Sequence, residues 1–308
     1  MTAQTLASGA AQVAGAALAP LLPGAVQAAK ARLQGRRGPG IAQPYRDLRR
    51  LWGKGSVRPA GTTAIYRATP AVVAASLVVL LLVVPVSAVA PDWGVGRDAL
   101  LVAGLLAVGR LAVTLAAWDC ANGFALQGAS RDLTVAVFVE VVLLLSLACV
   151  AVAAGTTDLA GMVAATAGTS AWNSPALPLA ALAFAFVVVA EVGRQPFDNP
   201  DTHLELTMIH EGPLLEYAGR DLAYLQWAAA ARHWVVAVLA VALFLPHPAD
   251  PWAQLALLPL GLAAVCLLLG VVETLVVKMR ILLAPRALGV GAAIAVLGLA
   301  AQLAGVGA

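Results

Sequence analysis

Long uninterrupted apolar runs are the feature that most constrains this chain. A run of roughly 18 or more apolar residues is long enough to cross the hydrocarbon core of a membrane as a helix. The runs lack the period-two alternation of barrel strands, and a helix satisfies its own backbone hydrogen bonds in lipid. We therefore predict an all-α fold, a polytopic transmembrane helix bundle. About eight spans are expected, near residues 5–28, 69–90, 98–118, 133–154, 176–192, 233–246, 253–276 and 287–306.

The composition supports one membrane domain over residues 1–308. Hydrophobic residues make up 61% of the chain and charged residues 11%, and the mean hydropathy is +0.88. A soluble domain carries about a quarter charged residues.

The first 29 residues contain no Lys or Arg, and positive charge follows the first apolar run instead of preceding it. This order differs from that of a signal peptide and indicates a retained first span.

Basic residues predict the orientation. Ten of the nineteen basic residues lie between Lys30 and Arg67, and Lys and Arg favour the cytoplasmic side of a membrane protein. We therefore expect a multi-pass protein of the cell membrane, plasma or inner, with both termini outside. Two long polar loops, 29–68 and 193–232, should lie together on the cytoplasmic face.

The loop 29–68 contains a short amphipathic segment from Tyr45 to about Trp52. Its apolar side chains lie opposite Arg46, Arg49 and Arg50, a pattern typical of a helix in the membrane interface. Two interpretations stay open: the arginines serve topology and attract anionic lipid, or they bind an acidic partner. No nucleic-acid-binding module is recognisable.

The loop 193–232 has the opposite charge. Seven of the sixteen carboxylates lie between residues 191 and 221, so ion pairs between the two loops are expected. A metal site built from His203, Glu205, His210 and Glu211 is disfavoured because the HExxH pattern is absent. The three cysteines are scattered, and we predict that this chain binds no metal, iron–sulfur cluster or other cofactor.

Two sequence segments carry a family resemblance. They are "RRGPGIAQPYRDLRRLWGKGSVRP" and "AEVGRQPFDNPDTHLELTMIHEGPLLEYAGRD", and together they resemble the formate hydrogenlyase subunit 4 family. These are membrane subunits of group 4 nickel–iron hydrogenases, homologous to subunit 1 of respiratory complex I, the NADH:quinone oxidoreductase. The complex I subunit tends to have "ETNRxPFDxxEAEAEL". The matching positions are Glu191, Arg194, Pro196, Phe197, Asp198 and Glu205, whereas His203 replaces an acid.

The resemblance implies a non-catalytic membrane anchor that couples electron transfer in a soluble arm to proton movement. It implies partners that carry the iron–sulfur clusters and the nickel–iron centre, namely hydrogenase small and large subunits, beside antiporter-like membrane subunits. The alternative is the quinone-site subunit of a complex I-like enzyme. An independent ion transporter is disfavoured because no internal repeat is visible. The expected interface residues are Arg46, Arg49, Arg50, Arg194, Asp198, Asp201, His203, Glu205, Glu211 and Glu216.

Charged residues also occur inside the predicted spans. Arg110, Glu140 and Glu273 fall within spans, and Glu191 ends one. A charge at that depth costs roughly 2.5 to 3.5 kcal/mol on insertion scales unless it faces the bundle interior. We predict a proton relay through Glu140, Glu191 and Glu273, because buried carboxylates can exchange protons. The alternative is a static ion pair, such as Arg110 with Glu140, that fixes helix packing.

Overall fold

The computed structural model describes residues 2–168, 170–199 and 208–305, and none of these residues lies in a β-strand. The helices are α1 (Ala3–Leu18), α2 (Leu21–Leu33), α3 (Gln43–Trp52), α4 (Ala64–Val83), α5 (Ala99–Asp119), α6 (Gly123–Ala154), α7 (Leu159–Ala165), α8 (Ala176–Glu191), α9 (Gly219–Phe244), α10 (Pro251–Leu275) and α11 (Ala284–Leu303). The predicted all-α fold is confirmed.

Six described helices are long and apolar enough to cross a membrane, namely α4, α5, α6, α9, α10 and the helix that ends at Leu303. Helices α1 and α2 pass the same test only as a pair bent by 62°. Helix α8 is apolar but has 16 residues. The described residues thus contain six candidate spans, or seven if the bent pair is one span, and α8 is a further, shorter apolar helix. This agrees with the predicted polytopic bundle.

Successive spans alternate in direction, so the connections gather at two ends of the bundle. At one end, Met279 N–H donates to the Pro196 carbonyl over 2.9 Å, and Arg58 lies 3.6 Å from Asp221. The two polar segments that the sequence predicted to lie together therefore meet here, and we call this end the polar end. At the opposite end, Gly168 N–H donates to the His247 carbonyl over 2.8 Å.

The first span is broken at Pro20, whereas the sequence predicted one continuous span over 5–28. Proline has no N–H, so it cannot bond to the carbonyl four residues earlier, which is that of Ala16. The indole Nε1 of Trp227 donates to this carbonyl over 3.0 Å, and the Tyr45 hydroxyl donates to the neighbouring Ala17 carbonyl. Side chains from α9 and α3 thus replace the bonds that the bend removes.

Helix α3 contains the short helix predicted from Tyr45 to Trp52. It packs against α9, where the rings of Trp52 and Tyr224 meet edge to face with centroids 5.1 Å apart. The side chains of Arg46, Arg49 and Arg50 are exposed on its other side. The helix is confirmed, and its position relative to a membrane stays a prediction.

Two helices begin earlier than predicted. Helix α6 begins at Gly123, with the Asn122 side chain accepting from Phe124 N–H over 2.8 Å, so Asp132 lies inside a helix and not in a turn before it. Helix α9 begins at Gly219, and residues 219–232 of the predicted polar loop are helical. The hydropathy pattern started both spans too late because it treats charged residues as exposed, whereas some of these are paired inside the bundle.

Helix α8 is short, and this positions the site. Its 16 residues span about 24 Å, less than the roughly 30 Å of a membrane core. The chain then turns into the polar end of the bundle, where Arg194, Phe197 and Asp198 are all buried. Irregular backbone so close to hydrocarbon is tolerated only where protein covers it, and the turn contacts α10 and the segment after it through Arg194 and Pro196.

Candidate functional site

Arg110 of α5 is the centre of a buried charge cluster. Only 4% of its surface is exposed, and it faces three carboxylates. Its Nη2 donates to Glu191 Oε1 over 2.7 Å, its Nη1 donates to Glu140 Oε1 over 3.3 Å, and its Nε lies 3.8 Å from Asp132 Oδ2. A guanidinium stays protonated in proteins, so these carboxylates offset a permanent buried charge.

Asp198, in the turn after α8, binds a second group of partners. Its carboxylate accepts from the backbone N–H groups of Asn199, Ile209 and His210 at 2.8 to 3.3 Å. Lys278 Nζ lies 2.9 Å from its Oδ1, and His210 Nδ1 lies 3.2 Å from its Oδ2. Burial alone would raise the pKa of Asp198, but the bonds with His210 and Lys278 hold that pKa well below its ordinary value.

His210 joins these two groups, because its Nε2 lies 3.7 Å from Asp132 Oδ1. Its side chain is 23% exposed, whereas Arg110 and Glu191 are almost fully buried. Ionisable side chains therefore follow one another from the polar end into the bundle. We call this set the first charge cluster, and its members are Lys278, Asp198, His210, Asp132, Arg110, Glu140 and Glu191.

A second charge cluster lies beside the first and consists of Lys30, Arg194 and Glu273. Arg194 Nη1 donates to Glu273 Oε1 over 3.0 Å, and Lys30 Nζ lies 3.2 Å from Glu273 Oε2. One buried carboxylate is thus shared by two cations, from α2 and from the turn after α8. This arrangement ties the broken first span and α10 to the turn.

Helix α9 adds two basic side chains, the partly buried Arg232 and the buried His233. Arg232 lies beside Gly109, where a side chain on residue 109 would stand 3.9 Å from its Nη2, and it is within electrostatic range of Glu191. His233 is 2% exposed, and neither of its ring nitrogens has a hydrogen-bond partner among the described residues. Glu191 thus has a second guanidinium nearby.

The three predicted relay carboxylates do not form one set. Glu140 and Glu191 meet on Arg110, whereas Glu273 belongs to the second charge cluster. The anticipated pair of Arg110 with Glu140 is present, but it is one of three contacts made by this arginine.

The predicted interface residues are distributed unevenly. Arg194 and Asp198 are buried within the bundle, Glu211 is exposed, and the Glu216 carboxylate accepts from the Asn122 amide. Asp201, His203 and Glu205 lie outside the described residues, so their interface role stays a prediction.

Several charged residues of the site were missed by the sequence reasoning. Lys30 and Lys278 were counted only as orientation signals, and His210 was considered only as a metal ligand. Asp132 offered one signal, because it lies eight residues before Glu140. That spacing is about two turns, so a longer helix would have placed both carboxylates on one side of α6.

No group of three or more His, Cys, Asp or Glu side chains in the described part of the chain is arranged to hold a metal ion. The side chains of the two clusters can form charge pairs, and their carboxylates and imidazole can exchange protons.

Comparisons with known proteins identify relatives of this chain. The sequence model of a family described as NADH dehydrogenase matches residues 9–300. The chain is 38% identical over 259 residues to Hydrogenase-4 component C of Escherichia coli (strain K12), covering 84% of this chain and 78% of that protein. It is 33% identical over 282 residues to Formate hydrogenlyase subunit 4 of the same strain, covering 88% and 89% of the two chains.

A more distant relative and a solved structure extend the comparison. An NADH-quinone oxidoreductase subunit of Geobacter sulfurreducens is 32% identical over 205 residues, covering 61% of this chain and 60% of that protein. The fold is similar to a chain in the membrane-bound sulfane sulfur reductase (MBS), an archaeal respiratory membrane complex. The TM-score is 0.83 at 25% identity, and the match covers 98% of this chain and all of that chain.

Replacing Asp198 by Asn tests how much the contacts of the turn after α8 stabilise the bundle. The variant removes the charge of the Asp198 carboxylate that Lys278 contacts, and hydrogen bonds to charged groups contribute about 1.5 to 3 kcal/mol each. We expect a lower thermal midpoint for the purified protein in detergent at pH 7. Because the pKa of Asp198 is lowered by folding, its contribution is complete above the ordinary aspartate value of about 3.9 and is lost as the pH falls below it toward the folded value.

The thermal midpoints of wild type and variant should therefore converge on acidification. Asp92→Asn is the control, because Asp92 is exposed and its Oδ1 acceptor for Gly94 N–H is retained by Asn. Equal midpoints of wild type and the Asp198 variant at pH 7 would contradict this account of the turn.

Proposed function

This chain belongs to the NADH dehydrogenase family, and we propose that it is the membrane anchor and proton-coupling subunit of a group 4 hydrogenase-type complex. Its identity and coverage with Hydrogenase-4 component C and Formate hydrogenlyase subunit 4 support the hydrogenase-like branch of the family. In this role the chain itself carries no redox centre. Electron transfer takes place in a soluble arm, and this chain ties it to proton movement.

The first charge cluster is the observation that carries the proposal. It begins at Lys278 and the partly exposed His210, and it ends at Glu140, near the middle of α6. Apolar packing stabilises a static bundle at least as well as buried ion pairs do. Stability alone therefore does not account for seven ionisable groups in contact. A chain of carboxylates and imidazole around one fixed guanidinium is instead suited to holding and releasing a proton.

The exposure of Glu140 is evidence for a partner subunit within the membrane. The Glu140 side chain is 32% exposed, and its neighbours Val137 and Val141 on α6 are exposed apolar residues. A carboxylate in that setting is costly against lipid and is expected to face protein or water. We propose that an antiporter-like membrane subunit covers this face and continues the proton path.

The polar end is the proposed docking site of the soluble arm. Hydrogenase small and large subunits, carrying iron–sulfur clusters and a nickel–iron centre, are the proposed partners there. The excess of basic residues at this end supports a cytoplasmic location, with both termini outside an inner or plasma membrane. Arg46, Arg49 and Arg50 are exposed on α3, and Glu211 is exposed as well. Asp201, His203 and Glu205 are included in the proposed surface from the sequence alone.

The alternative function is that of a quinone-site subunit in a complex I-like enzyme. The similarity to the NADH-quinone oxidoreductase subunit of Geobacter sulfurreducens favours it, although that match covers less of the chain than the hydrogenase relatives do. The two functions differ in one measurable respect: a quinone-site subunit makes turnover of the complex depend on added quinone.

Glu191→Gln and Glu140→Gln test the proton-coupling role. Glutamine preserves size and hydrogen bonding but cannot release a proton. We expect each variant complex to assemble and to transfer electrons to an artificial acceptor, while proton uptake coupled to physiological turnover falls tenfold or more. Tenfold corresponds to about 1.4 kcal/mol in barrier height. Uptake is measured with the purified complex in sealed vesicles containing a pH-sensitive dye.

Assembly is checked first on native gels, and Asp92→Asn at the opposite end serves as the control for a lost carboxylate. Normal coupled proton uptake in both assembled glutamine variants would show that these side chains only pack the bundle, and the proposed function would then be wrong.

A triple change of Arg46, Arg49 and Arg50 to Glu tests arm docking. Reversing three exposed charges on α3 replaces attraction to an acidic partner by repulsion. We expect the soluble arm to wash off membranes at a lower salt concentration than for wild type, as measured by sedimentation and immunoblotting. The matched control changes the same three residues to Lys and keeps the charge. If arm retention is the same in all three proteins, α3 does not contact the arm.

A further inference from the structure

His210 occupies a position that the proposed relay of glutamates leaves unexplained. Its Nδ1 lies 3.2 Å from Asp198 Oδ2, and its Nε2 lies 3.7 Å from Asp132 Oδ1. One imidazole thus stands between two carboxylates that come from different elements, the turn after α8 and helix α6. The His210 side chain is more exposed than the side chains of Asp132 and Asp198. Asp132 in turn contacts Arg110.

The backbone is shaped to admit this imidazole. Gly193 has a φ of +65°, a left-handed conformation that glycine adopts without strain. A Cβ on residue 193 would lie 2.8 Å from His210 Nδ1, which is closer than atoms pack. Absence of a side chain at this position therefore leaves the space that the ring occupies between the carboxylates.

Charged groups from several elements surround His210. The carboxylates are Asp132, Glu140, Glu191 and Asp198, and the cations are Arg110, Arg232 and Lys278. The second charge cluster beside them adds Lys30, Arg194 and Glu273. An imidazolium at His210 would lie between two carboxylates of this set, Asp198 and Asp132, each of which attracts a positive charge.

We propose that His210 is the proton-uptake site of the first charge cluster, taking a proton at the polar end and passing it to Asp132. The inference rests on the proposed function, since it names the group through which protons reach Glu191 and Glu140. Asp198 acts as a positioning residue: its carboxylate accepts from Nδ1–H and so leaves Nε2 as the nitrogen that exchanges protons.

The step conserves the proton at each stage. A hydronium ion of the solvent at the polar end gives a proton to Nε2 and leaves as water, an N–H bond forms, and the ring becomes an imidazolium held between two carboxylates. That N–H bond then breaks as Asp132 Oδ1 takes the proton, and the ring returns to its neutral form. Because 3.7 Å is longer than a hydrogen bond, the ring and the Asp132 carboxylate must approach each other for the transfer.

The experiment uses the assembled complex in sealed vesicles and compares His210→Gln, His210→Ala and His247→Gln. His247 is a matched control at the opposite end, where its ring contacts Thr166 Oγ1 and Gln254 Nε2. We expect both His210 variants to lose tenfold or more in coupled proton uptake, with electron transfer to an artificial acceptor retained. The His247 variant should keep the wild-type rate.

Chemical rescue separates proton transfer from packing. Added imidazole should restore uptake in His210→Ala, and among substituted imidazoles of similar size the restored rate should rise with the basicity of the ring. A rescue that is independent of basicity would assign His210 a space-filling role and overturn the proposal, and so would no rescue at all.

The same assay with Glu191→Gln separates the two claims. Loss of uptake in Glu191→Gln together with wild-type uptake in both His210 variants would overturn this inference alone. Wild-type uptake in Glu191→Gln would overturn the proposed function on which it rests.

Discussion

The buried guanidinium of Arg110 is the constraint on which the rest of the structure depends. Its charge cannot be removed by deprotonation, so the bundle must supply compensating carboxylates at fixed positions. Helix α8 supplies Glu191 at 2.7 Å and α6 supplies Glu140 at 3.3 Å and Asp132 at 3.8 Å. These contacts hold α5, α6 and α8 in register, and they place three carboxylic acids around one guanidinium.

The short α8 turns this buried pairing into a path that reaches the polar end. Because α8 ends at Glu191, the turn that follows enters the bundle and brings Arg194 and Asp198 with it. Asp198 reaches Lys278 and His210, and Arg194 reaches Glu273. A full-length helix would have carried these residues beyond the bundle. The polar turn is therefore part of the interior of the protein as well as part of the proposed docking surface.

The helices were largely predictable from the sequence, whereas the site was predictable only in part. Apolar runs locate the spans because apolar side chains prefer lipid to water. The family resemblance identified Glu191, Arg194 and Asp198 as site residues. The early starts of α6 and α9 were missed because hydropathy places charged residues outside. Asp132 and His210 were missed because their contact joins α6 to a distant turn, and no local pattern records such a pair. Glu273 was grouped with the other glutamates although its partners are Lys30 and Arg194.

The central claim is that the carboxylates around Arg110 change protonation as the complex turns over. Redox-induced infrared difference spectroscopy of the complex in membranes measures this directly, because a protonated carboxyl group has a carbonyl stretching band that a carboxylate lacks. We predict such a band in the wild-type difference spectrum and its loss in Glu191→Gln. A wild-type spectrum without any carboxyl band would show that the cluster keeps one protonation state, and it would contradict the account.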